Sequence, residues 1–66
     1  MAEAEYKLGY CYYFGEGARQ SYKQAAEWYK KGAAHGDVNA QMSAALCYEN
    51  GEGVAQNYEE ASRLFL

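Results

Sequence analysis

Two cysteines, one histidine and eight tyrosines are the residues of this 66-residue chain with the most chemistry to offer. Cys11 or Cys47 with His35 would supply a nucleophile and a base, but such a pair also needs an orienting third group and a cleft. No Ser-x-x-Lys run, triad spacing or paired acid in an evident cleft adds to it. One histidine and two cysteines fall short of a closed four-ligand zinc site at standard spacing. Gly15-Glu16-Gly17 and Gly51-Glu52-Gly53 share only their glycines with phosphate-cradling loops: neither precedes a Lys-Ser/Thr pair or follows a strand, and a central glutamate repels phosphate. No catalytic residue, metal ligand or cofactor is therefore expected. The tyrosines are left. Tyr combines a large apolar ring with a polar tip, the chemistry of an interface hot spot.

The chain that positions these groups is short. A domain of this size buries only about 60% of its unfolded surface. It is 50% hydrophobic, which excludes a disordered tail. No apolar run approaches the ~20 residues that span a bilayer. The first five residues, MAEAE, show no leader, and free thiols fit a cytoplasmic protein. A net charge of −3 argues against a nucleic-acid partner. No proline and 17% aromatic residues suggest helices with large packing side chains.

The chain repeats. Displaced by 36 positions, Ala4 meets Ala40, Cys11 meets Cys47 and Tyr12 meets Tyr48. Gly15-Glu16-Gly17 meets Gly51-Glu52-Gly53, Gln20 meets Gln56, Tyr22 meets Tyr58 and Ala25 meets Ala61. Nine of 27 overlapping pairs are identical. Within a repeat the period is helical: Ala4, Leu8, Cys11 and Tyr12 share one face, taken as the core face. Four helices are expected: α1 near residues 2–14, α2 near 22–35, α3 near 38–50, and α4 from 58 to Leu66. The glycine runs break α1 and α3. Ser21 with Gln24, and Asn57 with Glu60, read as capping boxes, and Asp37 as an N-cap. Ala25, Trp28, Tyr29 and Ala33 form the expected buried face of α2, with Trp28 and Tyr12 well buried. Glu27 and Lys31 are spaced as an ion pair on its polar side. His35 falls in its last turn, where positive charge favours the helix end. The equivalent cysteines sit on helices about 8–10 Å apart, and a disulfide needs Cα atoms within about 7 Å. They read as buried free thiols, with a redox pair the weaker alternative.

Ala4, Leu8-Gly9, Tyr12, Gly15-x-Gly17, Ala25, Trp28-Tyr29, Lys31, Ala33 and Gly36 follow a recognisable pattern. Ala40, Tyr48, Gly51-x-Gly53-Val54 and Ala61 repeat it. The chain resembles the Sel-1-like repeat family, relatives of the tetratricopeptide repeats, over nearly its whole length. It departs from the family at Ala18 (usually Val), Ser21 and Asn57 (Asp), Gln24 and Glu60 (Lys), Gly32 (Ala), and Ala44-Ala45 (Leu-Gly).

The resemblance implies an all-α fold: an α-solenoid of two antiparallel helix-hairpin repeats, about 4–39 and 40–66, the second truncated. It implies a protein–protein interaction adaptor or scaffold, not an enzyme, that binds a protein or peptide through the concave face lined by the first helix of each pair. Cysteine-rich relatives carry close-spaced disulfides and are sometimes assigned as hydrolases; that spacing is absent here. On α1, Tyr6, Tyr10, Tyr13 and Phe14 lie away from the Leu8 face, and Met42, Leu46 and Glu49 of α3 stand at the places of Tyr6, Tyr10 and Tyr13. These seven residues are the candidate partner-binding set. The alternative is that the rings merely pack on one another and on the next helix. Fewer than two full repeats, and an apolar end at Leu64-Phe65-Leu66, also predict a piece of a longer array or self-association through open repeat ends.

Overall fold

The computed structural model describes residues 2–65, and side chains from Ala4 onward. It contains four helices in order, α1 Ala2–Phe14, α2 Tyr22–Ala34, α3 Val38–Asn50 and α4 Tyr58–Phe65, and no strand among the described residues. Each packs on the one before it, so α1 lies on α2, and α3 sits between α2 and α4. The expected end of α4 at Leu66 lies outside the described residues.

The expected caps form, but as single caps rather than capping boxes: the Ser21 and Asn57 N–H groups donate to the Tyr12 and Tyr48 carbonyls at 2.9 and 2.8 Å, not to Gln24 and Glu60. Ser21 Oγ accepts from the Gln24 N–H at 3.2 Å, Asp37 Oδ1 from Ala40 at 3.0 Å, and Asn57 Oδ1 from Glu60 at 3.0 Å. Each bond satisfies a donor that the first helical turn leaves orphaned. The two loops after α1 and α3 are copies of each other. Gly15 and Gly51 take left-handed conformations, φ 72° and 70°. The Glu16 N–H then donates to the Cys11 carbonyl and that of Glu52 to Cys47, both at 2.9 Å. Gln20 Nε2 donates to the Tyr13 carbonyl at 3.1 Å, and Gln56 Nε2 to that of Glu49 at 2.9 Å. The glutamines repeat because each ties its loop back to the helix end.

The core is built of small side chains. Ala25, Ala26, Ala40, Ala44, Ala45, Cys47 and Ala61 are buried, together with Tyr29 at 3% exposure. As anticipated, Ala25 and Ala61 hold equivalent, closely packed places.

Gly9 sets the approach of α1 to α2. A Cβ there would lie 2.6 Å from Tyr29 Cδ1 and 3.2 Å from the Ala25 carbonyl oxygen. The Tyr29 ring therefore lies directly on the Gly9 backbone.

This contact turns α1 from its expected orientation. Gly9 is buried, whereas Ala4 is exposed, Leu8 is 41% exposed and Cys11 only half-buried. The core face is centred one residue further on, a rotation of about 100°. Tyr12 and Trp28 are half-buried, not deeply buried, and so is Ala33, because Ala26, Tyr29 and Gly32 occupy the inner face of α2. Lys31 turns to the Trp28 ring, 4.5 Å from its centroid, rather than to Glu27.

Gly9→Ala tests this packing. The new methyl meets a buried ring, so overpacking outweighs the ~1 kcal/mol gain in helix propensity and leaves a net loss of about 1–2 kcal/mol. Thermal melting measures it; an unchanged or higher midpoint would show that Tyr29 can shift without cost.

Candidate functional site

The orientation of α1 puts five aromatic rings around one cavity of about 290 Å³. Tyr6, Tyr10, Tyr13 and Phe14 come from α1, Tyr29 from α2, and Ser43 and Leu46 close the side formed by α3. The rings touch in sequence. Tyr6 and Tyr29 have centroids 5.8 Å apart, Tyr29 and Tyr13 6.3 Å, Tyr13 and Phe14 4.8 Å, and Phe14 and Tyr10 4.6 Å. These tilted and edge-on pairings suit the quadrupoles of the rings. Tyr10 is 41% and Phe14 57% exposed.

The four rings of α1 are not all opposite the core, as the sequence suggested. Tyr6 and Tyr13 pack against the buried cluster of Ala25, Ala26, Tyr29, Ala44 and Cys47. Tyr10 and Phe14 alone form the solvent side. Ring packing and a ring-lined opening thus coexist. Of the candidates on α3, Leu46 lines the cavity, while Met42 and Glu49 are exposed outside it. Tyr29 and Ser43 were missed as lining residues. The signal for Tyr29 was Gly9, which marks where a large side chain can lie against α1.

Glu52 was assigned only to a turn. Its two carboxylate oxygens accept from the Tyr13 hydroxyl at 2.9 and 3.0 Å. The loop after α3 thereby fastens the wall of the cavity. Gly53 makes this docking feasible: a Cβ on it would lie 2.2 Å from the Tyr22 carbonyl oxygen, at the start of α2. The Glu52 carboxylate, with burial assisting, pushes the Tyr13 phenol up to about 12. Burial, then the charge of Glu52, pushes the Cys47 thiol up to about 11.

The cysteines and the histidine lie in different surroundings. Both cysteines are free, Cys47 buried and Cys11 half-buried. A thiol with a raised pKa is the reverse of an activated nucleophile. His35 is the C-cap residue of α2, and its Nδ1 contacts the Glu5 carboxylate of α1, a partnership the sequence did not suggest. No cluster among the described residues could hold a metal ion. No helix of the described residues is long and apolar enough to cross a membrane.

The family model described as Sel1 repeat matches residues 2–37 and 38–66. The chain belongs to the Sel1 repeat family. A solved Sel1 repeat protein from Oxalobacter formigenes is similar to it, with a TM-score of 0.96 and 35% identity over 98% of this chain. The match covers 50% of that protein, so the present chain spans about half its length. No curated protein matches. The Sel1 fold assignment, an α-helical solenoid, agrees with the expectation from the sequence. Sel1 repeats generally mediate protein–protein interaction.

The raised phenol and thiol predict how the Sel1 fold responds to alkali. The fold holds Tyr13 and Cys47 neutral, whereas in the unfolded chain they ionise at their ordinary values of 10 and 9. The stability they contribute is complete below pH 9 and falls as pH rises towards about 12. Melting temperatures measured from neutral pH upward check this. Tyr13→Phe should cost about 1 kcal/mol at pH 7 and weaken the alkaline decline; an identical pH profile in wild type and variant would refute the link to Tyr13.

Proposed function

We propose that this Sel1 repeat chain is a non-enzymatic adaptor that receives a segment of another protein in the aromatic cavity between α1 and α3. The observation that carries the reading is the convergence of five rings and Leu46 on one opening, with Tyr10 and Phe14 half-exposed at its edge. Aromatic rings offer large contact area at low entropic cost, and their burial is the usual source of interface hot spots. Met42 and Glu49, exposed on α3, extend the contact surface beyond the cavity. The inert Cys47 and the pairing of His35 with Glu5 support this reading over a hydrolase. The two free thiols fit a cytoplasmic setting.

Tyr10→Ala tests the site. Tyr10 contacts Phe14 but stands outside the buried core cluster, so the variant should keep its helical circular dichroism and lose about 2 kcal/mol or more of affinity for a captured partner. Loss of stability with unchanged affinity would assign the ring to packing alone.

A second reading, stacking of a further repeat against the open flank of α1, rests on unequal surroundings of matching residues. Ala40 is buried and Gly53 lies on α2, while their counterparts Ala4 and Gly17 are uncovered, Gly17 having nothing within 4 Å of a built Cβ. Leu8 lies exposed on the same helix. In isolation this flank should drive self-association. Sedimentation at micromolar concentration should show species larger than the monomer; a strictly monomeric, folded chain would refute this reading.

A further inference from the structure

We infer that the aromatic cavity selects a partner segment that inserts a basic side chain, Lys or Arg, flanked by apolar residues. This inference deepens the proposed peptide-binding role of the same cavity and rests on it. The faces of aromatic rings are electronegative, so a ring-lined cavity attracts cations as well as apolar groups. Five of the seven lining residues are aromatic, and none is cationic. A purely apolar ligand would be served equally by leucines. The tyrosine hydroxyls and Ser43 add acceptors that can meet the N–H groups of an inserted cation.

The charge around the cavity points the same way. Glu52 places a carboxylate on the Tyr13 hydroxyl at the cavity wall. A phenol that donates to an anion has a more electron-rich ring, which strengthens its pull on a cation. Glu49 adds a second exposed carboxylate one turn beyond Leu46 on α3. None of the six basic residues lines the cavity, although Lys7 and Lys30 directly follow the lining residues Tyr6 and Tyr29 in sequence. Lys30 and Lys31 border a separate depression with Glu27 and Ala34. The whole chain carries a charge of −3, which steers basic partners towards it and acidic ones away.

The test uses the full chain and three short blocked peptides of alanine and leucine, alike except for a central arginine, glutamine or glutamate. Binding is followed by amide and tyrosine ring shifts in NMR titrations at moderate salt. The arginine peptide should bind roughly tenfold more tightly than the glutamine peptide, the glutamate peptide most weakly, and the shifts should centre on Tyr10, Tyr13 and Phe14. Tyr10→Leu keeps an apolar side chain and the net charge but removes a ring, so it should shrink the advantage of the arginine peptide over the glutamine peptide. If net charge alone were responsible, Tyr10→Leu would leave the arginine preference intact, and the inference would be overturned. Equal binding of the arginine and glutamine peptides at these rings would overturn the cation preference but uphold the peptide-binding role. Failure of all three to shift the rings would overturn both.

Discussion

The contact of the Tyr29 ring with the backbone of Gly9 governs the rest of this structure. Only a residue without a side chain lets α1 approach closely enough for the Cδ1–Cε1 side of the ring to rest against its backbone. That approach demands small residues nearby, which is why the interior is built from alanines, with Cys47 the largest fully buried side chain. It also sets the rotation of α1, and the rotation decides which tyrosines turn inward. Tyr6 and Tyr13 come to rest against the Tyr29 ring, and Tyr10 and Phe14 are left at the solvent edge. The cavity is thus a consequence of helix packing, not an addition to it.

The matching place in the second repeat shows what the glycine contributes. Ala45 stands where Gly9 does and is fully buried, and Phe65 stands where Tyr29 does but is 47% exposed. The two repeats share their loops and caps but not this inner contact. Identity between them is concentrated in the residues that shape the chain direction, while the residues that line a cavity differ. Repeats of one backbone can therefore present different surfaces at each junction.

The helices, their boundaries and their order were legible because glycines and caps act locally. Gly15, Gly51, Ser21, Asp37 and Asn57 need only their immediate neighbours to end or start a helix. The rotation of α1 was not legible in the same way. Tyr6, Leu8, Tyr10, Tyr12, Tyr13 and Phe14 surround the helix with apolar surface, so periodicity alone does not single out a buried side. The residue that settles it is Gly9, which counts for nothing in a hydrophobic pattern and for everything in close approach. Most of the cavity was still anticipated, since its rings crowd one stretch of α1. Tyr29 and Ser43 escaped because they depend on which helices meet, and Glu52 because its partner is 39 residues away in sequence.

Glu52 shows why the junction between repeats, rather than the single repeat, builds the cavity. Its loop belongs to the second repeat by sequence, yet its carboxylate fixes Tyr13 of the first, and Gly53 beside it lies on the start of α2. In the first repeat the same residues, Glu16 and Gly17, are exposed, with open space around Gly17. An isolated helix pair would hold the rings of α1 and Tyr29 of α2 but lack Ser43, Leu46 and the bond that restrains Tyr13. Three successive helices and the following loop are needed to make one walled cavity. In a solenoid of this kind such a cavity is therefore a property of the junction, and its lining is set by the side chains that the two neighbouring repeats bring to it.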